Sequence, residues 1–243
     1  MNFDAISEAI PSYLAGVGVT LQLLGVALLF GLALAIPLGV ARASNNKWLS
    51  WPVWAYTYVM RGTPMLVQLF LIYYGMAQFD AVRESVLWPW FSSAWFCAML
   101  TFTLNTSAYT AEIIAGAMRA IPAGEVEAAR SLGLSSWRVL TRVVLPSSMR
   151  RALPAYSNEV IMMLHGTSLA STVTLVDLTG AAREMNARTY LPFEAFVTAG
   201  VFYLALTFML VSLFHFAEKR WLRHLAPRSQ TVLLPPAAVA PSI

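Results

Sequence analysis

Charge is what this sequence has least of. Only 12% of its 243 residues are Asp, Glu, Lys or Arg, against 58% hydrophobic, and the mean hydropathy is +0.63. A chain folded in water carries about 25% charged residues, so a soluble globular domain is excluded and lipid must be the main solvent. Cysteine is almost missing. Cys97 stands alone in an apolar run, which rules out an intrachain disulfide or a cysteine metal cluster and leaves it a packing role. The first sixteen residues hold no Lys or Arg, so no cleavable signal peptide is expected. The net charge of +4 is too small to argue for nucleic-acid binding. The pattern G-x(4)-G-K-[ST] occurs nowhere, so the chain brings no ATP-binding loop of its own.

Long apolar runs are what it does have. A spanning helix needs about 20 mainly apolar residues, and five stretches qualify as spans: 17–41, 62–79, 96–118, 153–176 and 195–216. The second opens on Arg61-Gly62-Thr63-Pro64, where Thr63 can cap a helix and Pro64 fits its first turn. Trp48 to Met60 reads either as an interfacial elbow or as an early part of that helix. The expected fold is therefore an all-α integral membrane protein. Residues 1–225 form one transmembrane domain, and the Pro- and Ala-rich 226–243 form a disordered tail. With the N-terminus outside, thirteen of the sixteen Lys and Arg fall on the inner side. The positive-inside rule thus puts the N-terminus out and the C-terminus in. Trp88, Trp90 and Trp95 in the first outer loop suit a membrane interface.

The inner loop 119–151 carries the most specific pattern. It reads Glu127-Ala128-Ala129, three residues, Gly133, nine residues, Val143, one residue, then Leu145-Pro146. Two short helices joined at a glycine fit it. Gly133 suits a left-handed end, Ser135 can cap the second helix, and Pro146 helps to stop it. Trp137, Leu140 and Val144 share one face of that helix, and Arg138 and Arg142 another. Periodicity alone also allows an amphipathic loop lying on headgroups.

Polar residues inside spans are costly and usually face a cavity or a partner. Asn105, Tyr109, Glu112 and Gly116 make one stripe on the third span, and Asn158, His165 and Thr172 another on the fourth, with Glu159 about 100° around from it. Glu159 is either paired with Arg150, Arg151 or headgroups near the inner end, or a counter-charge for cationic cargo. Glu112, one to two turns from the inner end, has Arg119 seven residues on. Asn105 and Tyr109 can bond between helices or touch cargo. His165, Ser168 and Glu159 raise an intramembrane hydrolase as a rival reading, but no triad spacing or oxyanion motif accompanies them. A passive channel is a third.

The loop resembles the EAA loop of bacterial ABC-importer permeases, E-A-A-x(3)-G-x(9)-I-x-L-P, with Val143 in place of Ile. The likeness extends to Arg61-Gly62-Thr63-Pro64 with Gln68, to Leu104–Glu112 and to Leu153–Val160, and covers roughly residues 15 to 225. These stretches are similar to polar amino-acid permeases, above all the M-type permease of histidine/lysine/arginine/ornithine importers. The resemblance implies a type I ABC importer permease in the bacterial inner membrane, not an enzyme. Its loop residues Glu127, Ala128, Ala129, Gly133, Leu145 and Pro146 would couple to an ATPase. It implies two ATP-binding subunits that hold ATP-Mg, a second permease chain, similar or identical, and a periplasmic substrate-binding protein. No cofactor or metal is expected in this chain. The cargo would be a basic amino acid, with glutamine, glutamate or opines as alternatives. Glu159, Asn105, Tyr109, Glu112, Asn158 and His165 are the candidate cargo contacts.

Overall fold

The computed structural model describes residues 2–221, so the expected disordered tail lies outside the described residues. Eleven α-helices account for most of what is described: α1 (Phe3–Ala43), α2 (Lys47–Gly62), α3 (Met65–Phe70), α4 (Asp80–Arg83), α5 (Trp88–Phe91), α6 (Ala94–Arg119), α7 (Ala123–Ser131), α8 (Ser136–Val139), α9 (Leu145–Gly166), α10 (Leu178–Thr189) and α11 (Pro192–Trp221).

By length and composition, α1 and α11 are each long and apolar enough to cross a membrane. Ser136–Val173 together with Leu178–Thr189, bent by 47° between them, would make a third crossing. The second expected span, 62–79, is present as a helix shorter than a full crossing, with a break just ahead of it. Its apolar helix runs Met65–Gln78, and α2 ahead of it is a separate helix ending at Gly62. The carbonyls freed at the break are not left bare: Gln68 Nε2 donates to Met60 O at 2.8 Å and Thr63 O at 3.1 Å, and Asn105 Nδ2 to Met60 O at 3.3 Å. An interrupted helix is tolerated in lipid when side chains take up such groups.

The first helix begins at Phe3, well before the expected Val17. Asn2 accepts from the Ala5 amide and caps it. Its main neighbour is α6, along a seam of small residues on α1: Ala27, Gly31, Ala35 and Gly39, spaced every four residues and buried. Such a seam lets two backbones approach closely where lipid gives no hydrophobic drive for helix pairing. A Cβ on Gly39 would lie 2.8 Å from Ile114 Cγ2 and 3.1 Å from Ala111 O, while one on Gly25 would meet nothing within 4 Å. Gly39→Val should therefore destabilise the fold by about 1–3 kcal/mol, the usual range for overpacking. Thermal unfolding of the detergent-solubilised chain would show it as a lowered midpoint, with Gly25→Ala close to wild type. Equal midpoints for Gly39→Val and wild type would refute the seam.

Beyond α9 the chain tightens into a 3-10 stretch, Thr167–Val173, and Thr174 takes a left-handed φ of 70°. Asp177 then caps α10, its Oδ1 accepting from the Gly180 amide at 2.9 Å. This stretch lies between the expected fourth and fifth spans. It is a helix because Leu178, Ala181, Ala182 and Met185 bury one face at steps of three, one and three. That face belongs to the core shared with α1 and α11, where Tyr13 stacks on Phe202 and donates to Ala195 O at 2.8 Å.

Candidate functional site

Helices α2, α6 and α9 and the α2–α3 break line an open cavity of about 960 Å³. Its polar wall comes from Arg61 and Thr63 at the break, Asn105 and Tyr109 on α6, and Asn158, Glu159 and His165 on α9. Five of the six expected cargo contacts line this one space. Glu159 is the only carboxylate in the wall among the described residues. It is 8% exposed and accepts from Thr106 Oγ1 at 3.0 Å, and no cation among the described residues pairs with it. The alternative partner Arg151 is engaged elsewhere, at 3.0 Å from Glu125.

Glu112 is placed differently. Arg42 Nε donates to its Oε1 at 2.6 Å and Thr57 Oγ1 at 2.8 Å. The stripe Asn105-Tyr109-Glu112 is real, but the corner between α1 and α2 covers its lower end. Glu112 therefore opens on a separate space beside Arg42, Thr57 and Arg61 instead of the cavity. Arg119 does not reach it; its guanidinium donates to Arg42 O at 2.9 Å.

The other polar groups are fixed in part by neighbours. Asn105 Nδ2 donates to Gln68 Oε1 at 3.0 Å as well as to Met60 O, so it braces the break while facing the cavity. His165 Nε2 lies 3.1 Å from Thr207 Oγ1 on α11. It contacts neither Ser168 nor Glu159, and this removes the nucleophile–base pair that a hydrolase would need. Among the described residues no group of His, Cys, Asp and Glu could hold a metal.

The loop 119–151 ends α7 with a full left-handed cap. Gly133 has φ +77°, its amide donates to Arg130 O at 2.9 Å, and the Leu134 amide to Ala129 O at 3.3 Å. These are the paired bonds of a Schellman motif. Glu127 and Ala128 are exposed and Ala129 is buried inward. Leu132 and Trp137, 83% and 71% exposed, flank the bend. Two expectations change here. Ser135 sits at the cap position of α8, but its side chain makes no capping hydrogen bond. Pro146 stops nothing: α8 passes through a π-helical turn at Leu140–Val144 straight into α9, with Pro146 in the first turn of α9. The wide turn absorbs the proline, whose ring would clash in a regular helix. The exposed bend is thus continuous with the helix that carries Glu159. Glu125 of α7 also bonds Arg151 and Ser147 of α9.

Two residues of the site escaped the sequence reading. Thr106 lies one position off the polar stripe, and only the fold shows that it reaches Glu159. Arg61 is one of the thirteen inner-side charges of the sequence count, and the structure also brings it, at the end of α2, into the wall of the cavity.

An all-helical fold with membrane-competent helices, a polar cavity and an exposed bent loop joined to a cavity helix defines a membrane transport permease. The chain belongs to the family described as binding-protein-dependent transport system inner membrane component, which residues 27–223 match. It is 50% identical over 215 residues to the histidine/lysine/arginine/ornithine transport system permease protein HisM of Escherichia coli (strain K12), covering 88% of this chain and 90% of that one. It is 45% identical over 219 residues to the nopaline transport system permease protein NocM of Agrobacterium fabrum, covering 90% and 91%. Among solved structures it is similar to the crystal structure of an amino acid ABC transporter with histidines, with a TM-score of 0.80 and 31% identity over 90% of this chain and 99% of that one. The chain is the permease subunit of an ABC importer. It is not itself the enzyme; ATP hydrolysis belongs to a separate subunit.

Proposed function

We propose that this chain moves basic amino acids (histidine, arginine, lysine or ornithine) inward across a bacterial inner membrane through the cavity between α6 and α9. One observation carries the reading: a buried carboxylate, Glu159, with no ion-pair partner among the described residues, in a space large enough for an amino acid. A site of about 300–1,000 Å³ suits a small ligand, and a carboxylate kept from water favours a cationic guest. The relatives' names agree in cargo class.

The remaining assignments follow from this role. The chain crosses the membrane five times, with α2 and α3 as two halves of one interrupted span, and its N-terminus faces the periplasm, the arrangement favoured by the Lys and Arg distribution. It pairs with a second permease chain and rests on two ATPase subunits that hold ATP-Mg. The exposed bend around Gly133 meets them, its Leu132 and Trp137 offering apolar anchors. A periplasmic binding protein delivers the cargo.

The test is purification of the assembly from membranes, then ATPase assays with the loaded binding protein across amino acids. The permease should bring an ATPase subunit with it, and basic amino acids should stimulate hydrolysis most. An assembly that lacks an ATPase, or that responds to none of them, would overturn the proposal.

A further inference from the structure

Among the described residues, Arg61 is the one Arg or Lys in the cavity wall. It is exposed at the cavity wall, and its guanidinium joins no ion pair among the described residues. Glu112, which shares the neighbouring space with Arg61, is already taken by Arg42 and Thr57. Glu159 is within electrostatic reach but bonded to Thr106 instead. What holds Arg61 is a ring: its guanidinium carbon lies 5.1 Å above the Tyr109 centroid, and Tyr109 Oη reaches the Arg61 carbonyl at 3.5 Å. Stacking orients the guanidinium and leaves its N–H groups free to donate.

The wall therefore offers one fixed negative group and one fixed positive group facing a single space. An amino acid presents the complement: a carboxylate, an α-ammonium and, for a basic cargo, a second cation on the side chain. The geometry points to Arg61 as the receptor for the α-carboxylate of the cargo, with Glu159 left to the cationic side. A guanidinium meets a carboxylate through two parallel N–H donors, a match that a lysine cannot make. This division also fits relatives named for basic amino acids and for nopaline, whose cargoes differ in side chain but share a carboxylate beside an α-nitrogen. Arg61 reads the shared part and the α9 wall reads the rest. The inference rests on the cavity being the cargo site.

The experiment compares arginine with agmatine, which is arginine without its carboxylate. Binding is measured on the solubilised permease–ATPase assembly with no binding protein present, so that the permease alone discriminates. Hydrogen bonds to a charged group are worth about 1.5–3 kcal/mol, so the wild type should prefer arginine by at least about tenfold. R61Q should bring the two ligands to within about threefold by weakening arginine alone, and R61K should fall between, having charge without the fork. E159Q should weaken both ligands together, since both keep the cationic end. An R61Q assembly that keeps the wild-type preference overturns the role of Arg61 and leaves the cavity reading intact. Failure of the wild type to bind arginine overturns both. Should R61Q fail to assemble, R61K carries the test, and full preference in R61K overturns the inference equally.

Discussion

Replacing Glu159 with Gln should reduce the affinity of the assembly for arginine or histidine by at least about thirtyfold, while the ATPase subunits still co-purify. The size follows from the setting. Removing one partner of a desolvated charge pair costs about 2–5 kcal/mol, and 2 kcal/mol is already more than tenfold. Gln keeps the shape and still accepts from Thr106 Oγ1, now 3.0 Å from Glu159 Oε1, so the cavity wall should stand. What is lost is the one carboxylate that the described residues give the cavity. The same variant should narrow the gap between arginine and citrulline, its uncharged counterpart, because that gap measures the missing charge. The check is uptake into proteoliposomes together with binding to the assembly without its binding protein. Arginine uptake at the wild-type rate, or an unchanged arginine–citrulline gap, would remove Glu159 from the site. A merely structural role for this carboxylate would lower both ligands equally and leave the gap in place.

How much of this was legible beforehand differs from residue to residue. The lipid solvent, the helical class and the exposed loop follow from composition and spacing, because those signals are local. Glu159 stood out for the same reason: a charge in an apolar run is visible in one dimension. Which acid faces the cavity was not visible. Glu112 and Glu159 look alike in sequence, and only the corner made by Arg42, Ser50 and Thr57 separates them. That corner joins residues seventy and fifty-five positions from Glu112, a separation that no periodicity reports. Arg61 was visible only as one more charge: positive-inside counting weighs it as an inner-side Arg, and only the fold shows that the break at Thr63-Pro64 also puts it in the wall of a cavity. Helix α10 was legible and passed over: Asp177 ahead of Leu178, Ala181, Ala182 and Met185 is a cap followed by a helical face.

The second large effect concerns the bend rather than the cavity. Gly133→Val should cut transport at least tenfold and leave ATP hydrolysis unresponsive to loaded binding protein, with the ATPase still attached. At φ +77° a residue with a Cβ costs about 1–2 kcal/mol, and a β-branched residue more. A Cβ at Gly133 would meet nothing within 4 Å, so any loss reports backbone conformation and not crowding. That distinction gives the prediction an order: Gly133→Asn should be mildest, Gly133→Ala intermediate and Gly133→Val worst, because Asn enters the left-handed region most readily after Gly. The consequence reaches the cavity because α8, the π-helical turn and α9 form one continuous path to Glu159. Relaxing the bend lets α7 run on or turn away, and the exposed Leu132 and Trp137 lose their fixed aim. Motion of the ATPase then has no rigid lever to act on. Coupling is read as the ratio of cargo moved to ATP hydrolysed in proteoliposomes. A ratio that is the same in all three variants, or that follows side-chain volume with Asn worse than Ala, would show that the left-handed cap does not transmit the movement.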